Sequence, residues 1–131
     1  MGAFEMLRIA NTSLGMHQTW LDALAHNIAN VNTATPTSGN AFQEQLVVAQ
    51  ARTDGGVDVA TIAQGGDPQG RLVSDPDNPL ADANGMVRMP DMDMGEQMSS
   101  LVMAQRGFQA SVQVTKTAQD TYASALQIGR A

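Results

Sequence analysis

Residues 94–128 read MGEQMSSLVMAQRGFQASVQVTKTAQDTYASALQI. In this stretch Met94, Met98, Leu101, Gln105, Phe108, Val112, Thr115, Gln119, Tyr122 and Leu126 alternate steps of four and three without a slip. That spacing puts side chains on one face of an α-helix. A second stripe of Gly107, Ser111, Val114, Ala118, Ala125 and Ile128 runs beside it and is mostly small. No proline intervenes, glycine occurs only at 95 and 107, and Gly129 stands where a helix C-cap glycine would. The pattern predicts one long helix with two usable faces, which can pack against more than one neighbour.

The other end of the chain carries a second helical pattern. Leu7, Leu14, Leu21 and Ile28 are seven apart, and Ala10, Leu24 and Val31 sit three residues beyond three of them. This is the seam of a coiled coil, with His17 breaking one row. A helix over residues 4–31 would be about 42 Å long. Gly15 and the run Asn11-Thr12-Ser13 weaken it, so it needs a packed partner. A helical hairpin with its core inside one molecule would leave the second stripe of the C-terminal helix facing water. Polar seam positions (His17, Gln105, Thr115, Gln119) suit a registered assembly, and equally a loosely packed monomer.

Composition leans toward assembly. The chain has 131 residues, 7 basic and 13 acidic, for a formal net charge of −6. Its aromatic residues are Phe4, Trp20, Phe42, Phe108 and Tyr122, few with which to bury the roughly two thirds of unfolded surface usual at this size. The acidic balance argues against nucleic-acid binding. The absence of cysteine excludes disulfides and thiolate chemistry. Residues 33–96 hold three arginines against ten acidic residues, whereas 97–131 hold Arg106, Lys116 and Arg130 against Asp120. All five prolines lie in the acidic middle. The first residues lack a basic segment followed by an apolar one, so no cleaved signal peptide is expected. No stretch approaches the length of a membrane span. Gly2 lacks the Ser or Thr at position 6 that myristoylation favours.

The middle reads as short strands and turns. Phe42, Leu46 and Val48, the turn Asp54-Gly55-Gly56, then Val57, Val59 and Thr61 form a hairpin pattern. Met86–Met89 reads as a further strand closed by Pro90. Asp75, Asp77, Asn78, Asp82 and Asn84 suggest a calcium loop. Counted from Asp75, however, Leu80 and Met86 stand where an EF-hand needs glycine and glutamate. His17 and His26 are nine apart, which does not place them together on a helix to bind zinc. There is no Gly-x-Ser-x-Gly elbow and no phosphate loop. Six methionines between Met86 and Met103 offer either an adaptable surface or core filling. The pattern gives no signal for an enzyme and none for a cofactor. The fold expected is mainly α: two long terminal helices paired as a coiled-coil-like hairpin over 1–32 and 94–131, with a central β-hairpin and loop arm over 33–93.

Ala25-His26-Asn27-Ile28-Ala29-Asn30-Val31-Asn32-Thr33 resembles the signature of flagellar rod, hook and hook-associated proteins, usually Ala-Asn-Asn-Ile-Ala-Asn-x-x-Thr. The stretch from Leu72 to Val87, with Asp75, Pro76, Pro79, Asp82 and Gly85, is similar to one typical of proximal rod proteins of the FlgC type. So are Glu96-Gln97-Met98, Leu101 and the run Ala104 to Ala110, which holds Arg106, Phe108 and Ala110. The resemblance covers essentially the whole chain. His26, Gly107 and Phe108 depart from the residues usual at their positions. The sister FlgB type shares the terminal helices, and a small calcium- or ligand-binding module is the alternative of a different class.

The resemblance implies a structural subunit of the drive shaft that crosses the periplasm from the inner-membrane ring towards the hook. Such subunits are exported by the flagellar type III apparatus without signal cleavage. The partners implied are copies of the same chain, other rod proteins and adaptors at the rod base. The terminal helices would form a tube-building layer and the central arm would brace adjacent subunits. Packing between subunits is expected at Leu7, Leu14, Leu21, Leu24, Ile28, Val31, Met94, Met98, Leu101, Phe108, Val112, Tyr122 and Leu126.

Overall fold

A computed structural model describes residues 2–130. The elements in chain order are α1 (Ala3–Asn30), β1 (Glu44–Ala51), β2 (Val57–Gly65), β3 (Arg71–Ser74), β4 (Met86–Met89) and α2 (Met94–Ile128). Two long helices at the ends and a small strand region between them match the architecture that the heptads and turn signals predict.

Local chemistry sets the helix ends. Asp93 caps α2: its Oδ1 accepts from Glu96 N (2.9 Å) and its carbonyl from Gln97 N (3.0 Å). Glu96 adds negative charge beside the helix N-terminus. At the end of α1, Asn30 Nδ2 donates to the carbonyl of His26 (2.9 Å), one of the acceptors the helix leaves open. Thr33 Oγ1 donates to Asn30 Oδ1 (3.2 Å) and holds that cap in place. The end of α2 departs from expectation. Gly129 is not among the glycines of positive φ, which are Gly55, Gly56, Gly66, Gly70 and Gly85. Its N–H still reaches Ala125 O (3.1 Å), so the chain leaves α2 without a left-handed cap.

Contacts divide the chain into two units, each drawing on both helices: Met1–Leu21, Val47–Thr61 and Val102–Ala131, and Asp22–Leu46 with Ile62–Leu101. β1 and β2 pair in a two-stranded sheet. The short link over 52–56 makes them antiparallel, because a parallel pair needs a long crossover.

In the first unit α1 and α2 run antiparallel. Ser13 Oγ and Ser111 Oγ are 2.8 Å apart, and one turn further along α1 His17 packs against Gly107, one turn back along α2. The hairpin tip lies on α1. Thr12 Oγ1 donates to Ile9 O (2.7 Å) and accepts from Val57 N (3.1 Å). Gly56, at φ 97°, approaches the Thr12 side chain so closely that a Cβ would collide with it.

In the second unit β3 and β4 pair antiparallel, with Arg71 opposite Met89, Val73 opposite Val87 and Ser74 opposite Met86. On the other side of β4, Thr35 exchanges backbone bonds with Arg88 (2.8 and 2.9 Å). Val87 sits between these pairings with no solvent exposure. The loop from Asp75 to Gly85 is built by its own side chains. Asp82 Oδ1 accepts from Asn84 N (2.8 Å) and Met86 N (3.0 Å), and Oδ2 accepts from Thr37 Oγ1 (3.0 Å). Asn78 Nδ2 donates to Asp75 Oδ2 (2.9 Å). Gly85, at φ 72°, packs against Pro76. Ala23, Leu24, Asn27, Val31 and Ala41 complete the buried part of this unit with Pro90 and Gln97.

Candidate assembly surface

The seam between α1 and α2 in the first unit is made of small residues. Ala10, Ala104, Ser111 and Ala118 are buried, and Gly107 lies under the His17 ring. Small facing side chains let two helix backbones approach closely, which favours dispersion contact along their length. A Cβ on residue 107 would overlap His17 Nε2. His17 Nδ1 is itself held at Ser13 O (2.8 Å). Gly107, which the spacing places in the small stripe, is here the space that seats the histidine. Thus Gly107, Ser111 and Ala118 of the small stripe are turned inward, whereas Val114 between them stays exposed.

The large stripe is left open. Met94, Met98, Val112, Tyr122 and Leu126 are 40%, 46%, 45%, 45% and 51% exposed. Leu101 and Phe108 are half-buried. On α1 the assignment reverses: Leu24 and Val31 are buried, and Leu7, Leu14, Leu21 and Ile28 are half-buried. The residues expected to pack between subunits therefore fall into two groups, α1 positions largely used within the chain and α2 positions largely unused. Counting outward from the Ser13–Ser111 pair brings the start of α1 opposite about Thr121. From there α2 runs on alone for roughly 10 Å, and every residue of 119–130 is exposed. Val102, Met103, Val114 and Ile128 are also exposed and lie outside the expected set. Their helical positions were legible, but which side the partner helix would cover was not. Val114 lines a groove of about 340 Å³ whose other walls include Met6, Ile9, Ala10 and Ala110.

The signature residues have separate placements. Asn30 caps α1, Ile28 is half-buried, and Ala29, Asn32 and Thr33 lie at the surface. Asn27 has no solvent exposure and reaches the backbone of Gln45. The His26 and Phe42 rings lie 5.3 Å apart, tilted by 56°. Asp75, Pro76, Pro79, Asp82 and Gly85 all belong to the loop between β3 and β4. Arg106 and Ala110 are exposed on α2. The backbone N–H of Met86, then that of Asn84, hold the Asp82 carboxyl below its ordinary range. Asp75 thus spends its carboxylate within the loop, and Asp82 divides its own between the loop and Thr37. Among the described residues no group of three or more His, Cys, Asp or Glu is placed to hold a metal ion.

Charge is concentrated at the hairpin tip in the first unit. Arg8 Nη1 pairs with Asp54 Oδ2 (2.9 Å), and Arg52 pairs with Asp54 Oδ1 (2.9 Å) and Asp58 Oδ1 (3.0 Å). Hydrogen bonding to Asp54 and then to Asp58 raises Arg52 further above its ordinary value. The Arg52 guanidinium in turn lowers the Asp54 carboxyl. No helix among the described residues is long and apolar enough to cross a membrane.

A family profile described as "Flagellar basal body rod FlgEFG protein C-terminal" matches residues 83–128. The chain is similar over nearly its full length to curated proteins named "Flagellar basal-body rod protein FlgC". The protein of that name from Salmonella typhimurium is 33% identical, with 99% of this chain and 100% of the relative covered. The one from Yersinia enterocolitica is 35% identical, with 99% and 100% covered. The one from Agrobacterium fabrum is 31% identical, with 95% and 93% covered.

Proposed function

The chain belongs to the flagellar basal-body rod protein FlgC family, and from that premise we propose how this structural rod subunit is built into its shaft. The observation that carries the reading is the division of α2. Its small residues Gly107, Ser111 and Ala118 are closed against α1, and its large apolar stripe is exposed at Met94, Met98, Val112, Tyr122 and Leu126. Met94, Met98, Val112, Tyr122 and Leu126, with Leu101 and Phe108 at the margin, are the side chains that neighbouring subunits cover. Leu7, Leu14, Leu21, Leu24, Ile28 and Val31 act mainly from within, by holding α1 in place.

A subunit that offers one face to a differently shaped face on its neighbour makes contacts that do not close into a ring. Repetition of such contacts gives a helical tube. The neighbours are copies of this chain and other rod proteins, with adaptor proteins of the inner-membrane ring at the base. The shaft lies in the periplasm, reached through the flagellar export apparatus without a cleaved signal. Interlocked helices give it the stiffness to carry torque, and no catalytic step is required of the chain.

The test is complementation of a motile strain deleted for its own FlgC. Tyr122→Asp and Leu126→Asp should abolish swimming and completed basal-body rods while the subunit is still exported. Both positions are exposed and lie beyond the part of α2 that α1 covers among the described residues, so neither change should disturb the folded subunit. Normal swimming in both variants would remove the open stripe from the proposed interface. Leu21→Asp and Phe108→Asp are less discriminating, because both residues are half-buried in the subunit itself.

A further inference from the structure

In the second unit the carboxamide of Asn27 takes the place of a strand partner. Gln45 N donates to Asn27 Oδ1 (2.7 Å), and Asn27 Nδ2 donates back to Gln45 O (3.0 Å). One donor and one acceptor offered to a single residue is what a neighbouring antiparallel strand supplies at a hydrogen-bonded pair. The second Nδ2 proton goes to Gln97 Oε1 (3.0 Å) on α2. Gln97 Nε2 donates in turn to Glu44 Oε2. Asn27 has no exposure and Gln97 is 5% exposed, so water is not a ready substitute in either place.

The set is chemically selective. A carboxamide has one acceptor oxygen and two N–H donors, and all three groups of Asn27 are engaged. Ionised aspartate offers no donor, serine has only one, and glutamine places the same group one methylene further out. The contact also selects a register. A one-residue slip of β1 would bring Glu44 or Leu46 to the carboxamide and turn every side chain of the strand to the opposite face.

We propose that Asn27 is a positioning residue: by pinning Gln45 to α1 and, through Gln97, to α2, it sets the register in which the β1–β2 arm leaves the helices before the subunit meets any neighbour. The consequence for the shaft rests on the rod-subunit reading given above. The pin itself does not. The signature over residues 25–33 thus contains one amide that caps, Asn30, and one that anchors a strand, Asn27.

Amide hydrogen exchange on the purified full-length chain tests the pin. In the wild type the Gln45 amide should be protected like that of Val87 in β4; an unprotected Gln45 amide would overturn the proposal without any variant. Asn27→Ala should reduce Gln45 protection by about tenfold or more and leave Val87 unchanged, whereas Asn30→Ala should leave both unchanged. Asn27→Asp should lose Gln45 protection at neutral pH and regain part of it, relative to wild type at the same pH, once acid protonates the new carboxyl and restores one donor. Equal Gln45 protection in wild type and a folded Asn27→Ala chain, or an Asn27→Asp chain with no recovery in acid, would overturn the pin. In the deletion strain, Asn27→Ala should be exported but support few rods. Normal swimming with Gln45 protection lost would overturn the arm-setting role. A wild-type chain that fails to restore swimming would count against the rod reading, while the exchange result still decides the pin.

Discussion

The arm is tied to α1 by opposite kinds of chemistry at its root and at its tip. At the root, Gln45 is held by the carboxamide of Asn27, which is wholly buried and whose donors and acceptor are all engaged. At the tip, Asp54 is held by Arg8 and Arg52, whose side chains keep about a third of their exposure while that of Asp54 keeps half. A buried amide network works by shape and by the high cost of leaving any member unpaired. Exposed ion pairs contribute little individually, are screened by salt and tolerate change in geometry. The root is therefore a contact that specifies one arrangement, and the tip one that solution conditions can adjust.

Removing the root contact should have the largest effect on the subunit. Asn27→Ala removes the partner of Gln45 N–H, Gln45 C=O and Gln97 Oε1, of which the contact to Gln97 is buried and those to Gln45 are part-buried, at a cost of about 1–3 kcal/mol. Asn27→Asp should be at least as damaging at pH 7, because it sets acceptor against acceptor at two of the three contacts. Denaturant melts of the full chain measure both. A loss no greater than that of Asn30→Ala would erase the distinction between a specifying contact and an ordinary surface cap.

The helix seam asks whether the first unit, whose arm is held by ion pairs and by Thr12, contains a helix–helix contact set by fit. Gly107→Ala should cost about 1–2 kcal/mol net, the penalty of crowding His17 less the gain in helix propensity. In a His17→Ala background the same change should be neutral or stabilising, a coupling that a double-mutant cycle reads directly. If Gly107→Ala is neutral with His17 in place, the seam yields to small shifts and is not specified by shape.

Both helices and most of the hairpin were legible because their signals are local: heptad spacing, the absence of proline between Met94 and Ile128, and Asp54-Gly55-Gly56 between two alternating runs. β3 was not, because Arg71–Ser74 is too short to show a period and owes its strand conformation to β4. The two stripes of α2 could be drawn from spacing alone. Which one turns inward depends on His17 needing the space over Gly107, a fact shared between residues far apart in the chain. The same holds for Asn27. Asn27 and Asn30 stand in one amide-rich run, and nothing local separates the asparagine that caps from the one that reaches Gln45.

The smallest effect should come from the tip, and its sign follows from the ion pairs. Hydrogen bonding from Arg52, with the charge of Arg8 nearby, lowers the Asp54 carboxyl in the folded chain. A depressed carboxyl stabilises the fold above its unfolded value, near pH 4 for aspartate, and loses that contribution as pH falls through the folded value. Wild type should therefore be slightly more stable than Asp54→Asn at pH 7 and low salt. The gap should narrow when salt is raised and close as pH falls below about 4. Melting both chains across that range gives the comparison. A gap that persists in high salt would show that Asp54 acts through the fit of its bonds to Arg8 and Arg52 and not through charge, which would place the tip in the same class as the root.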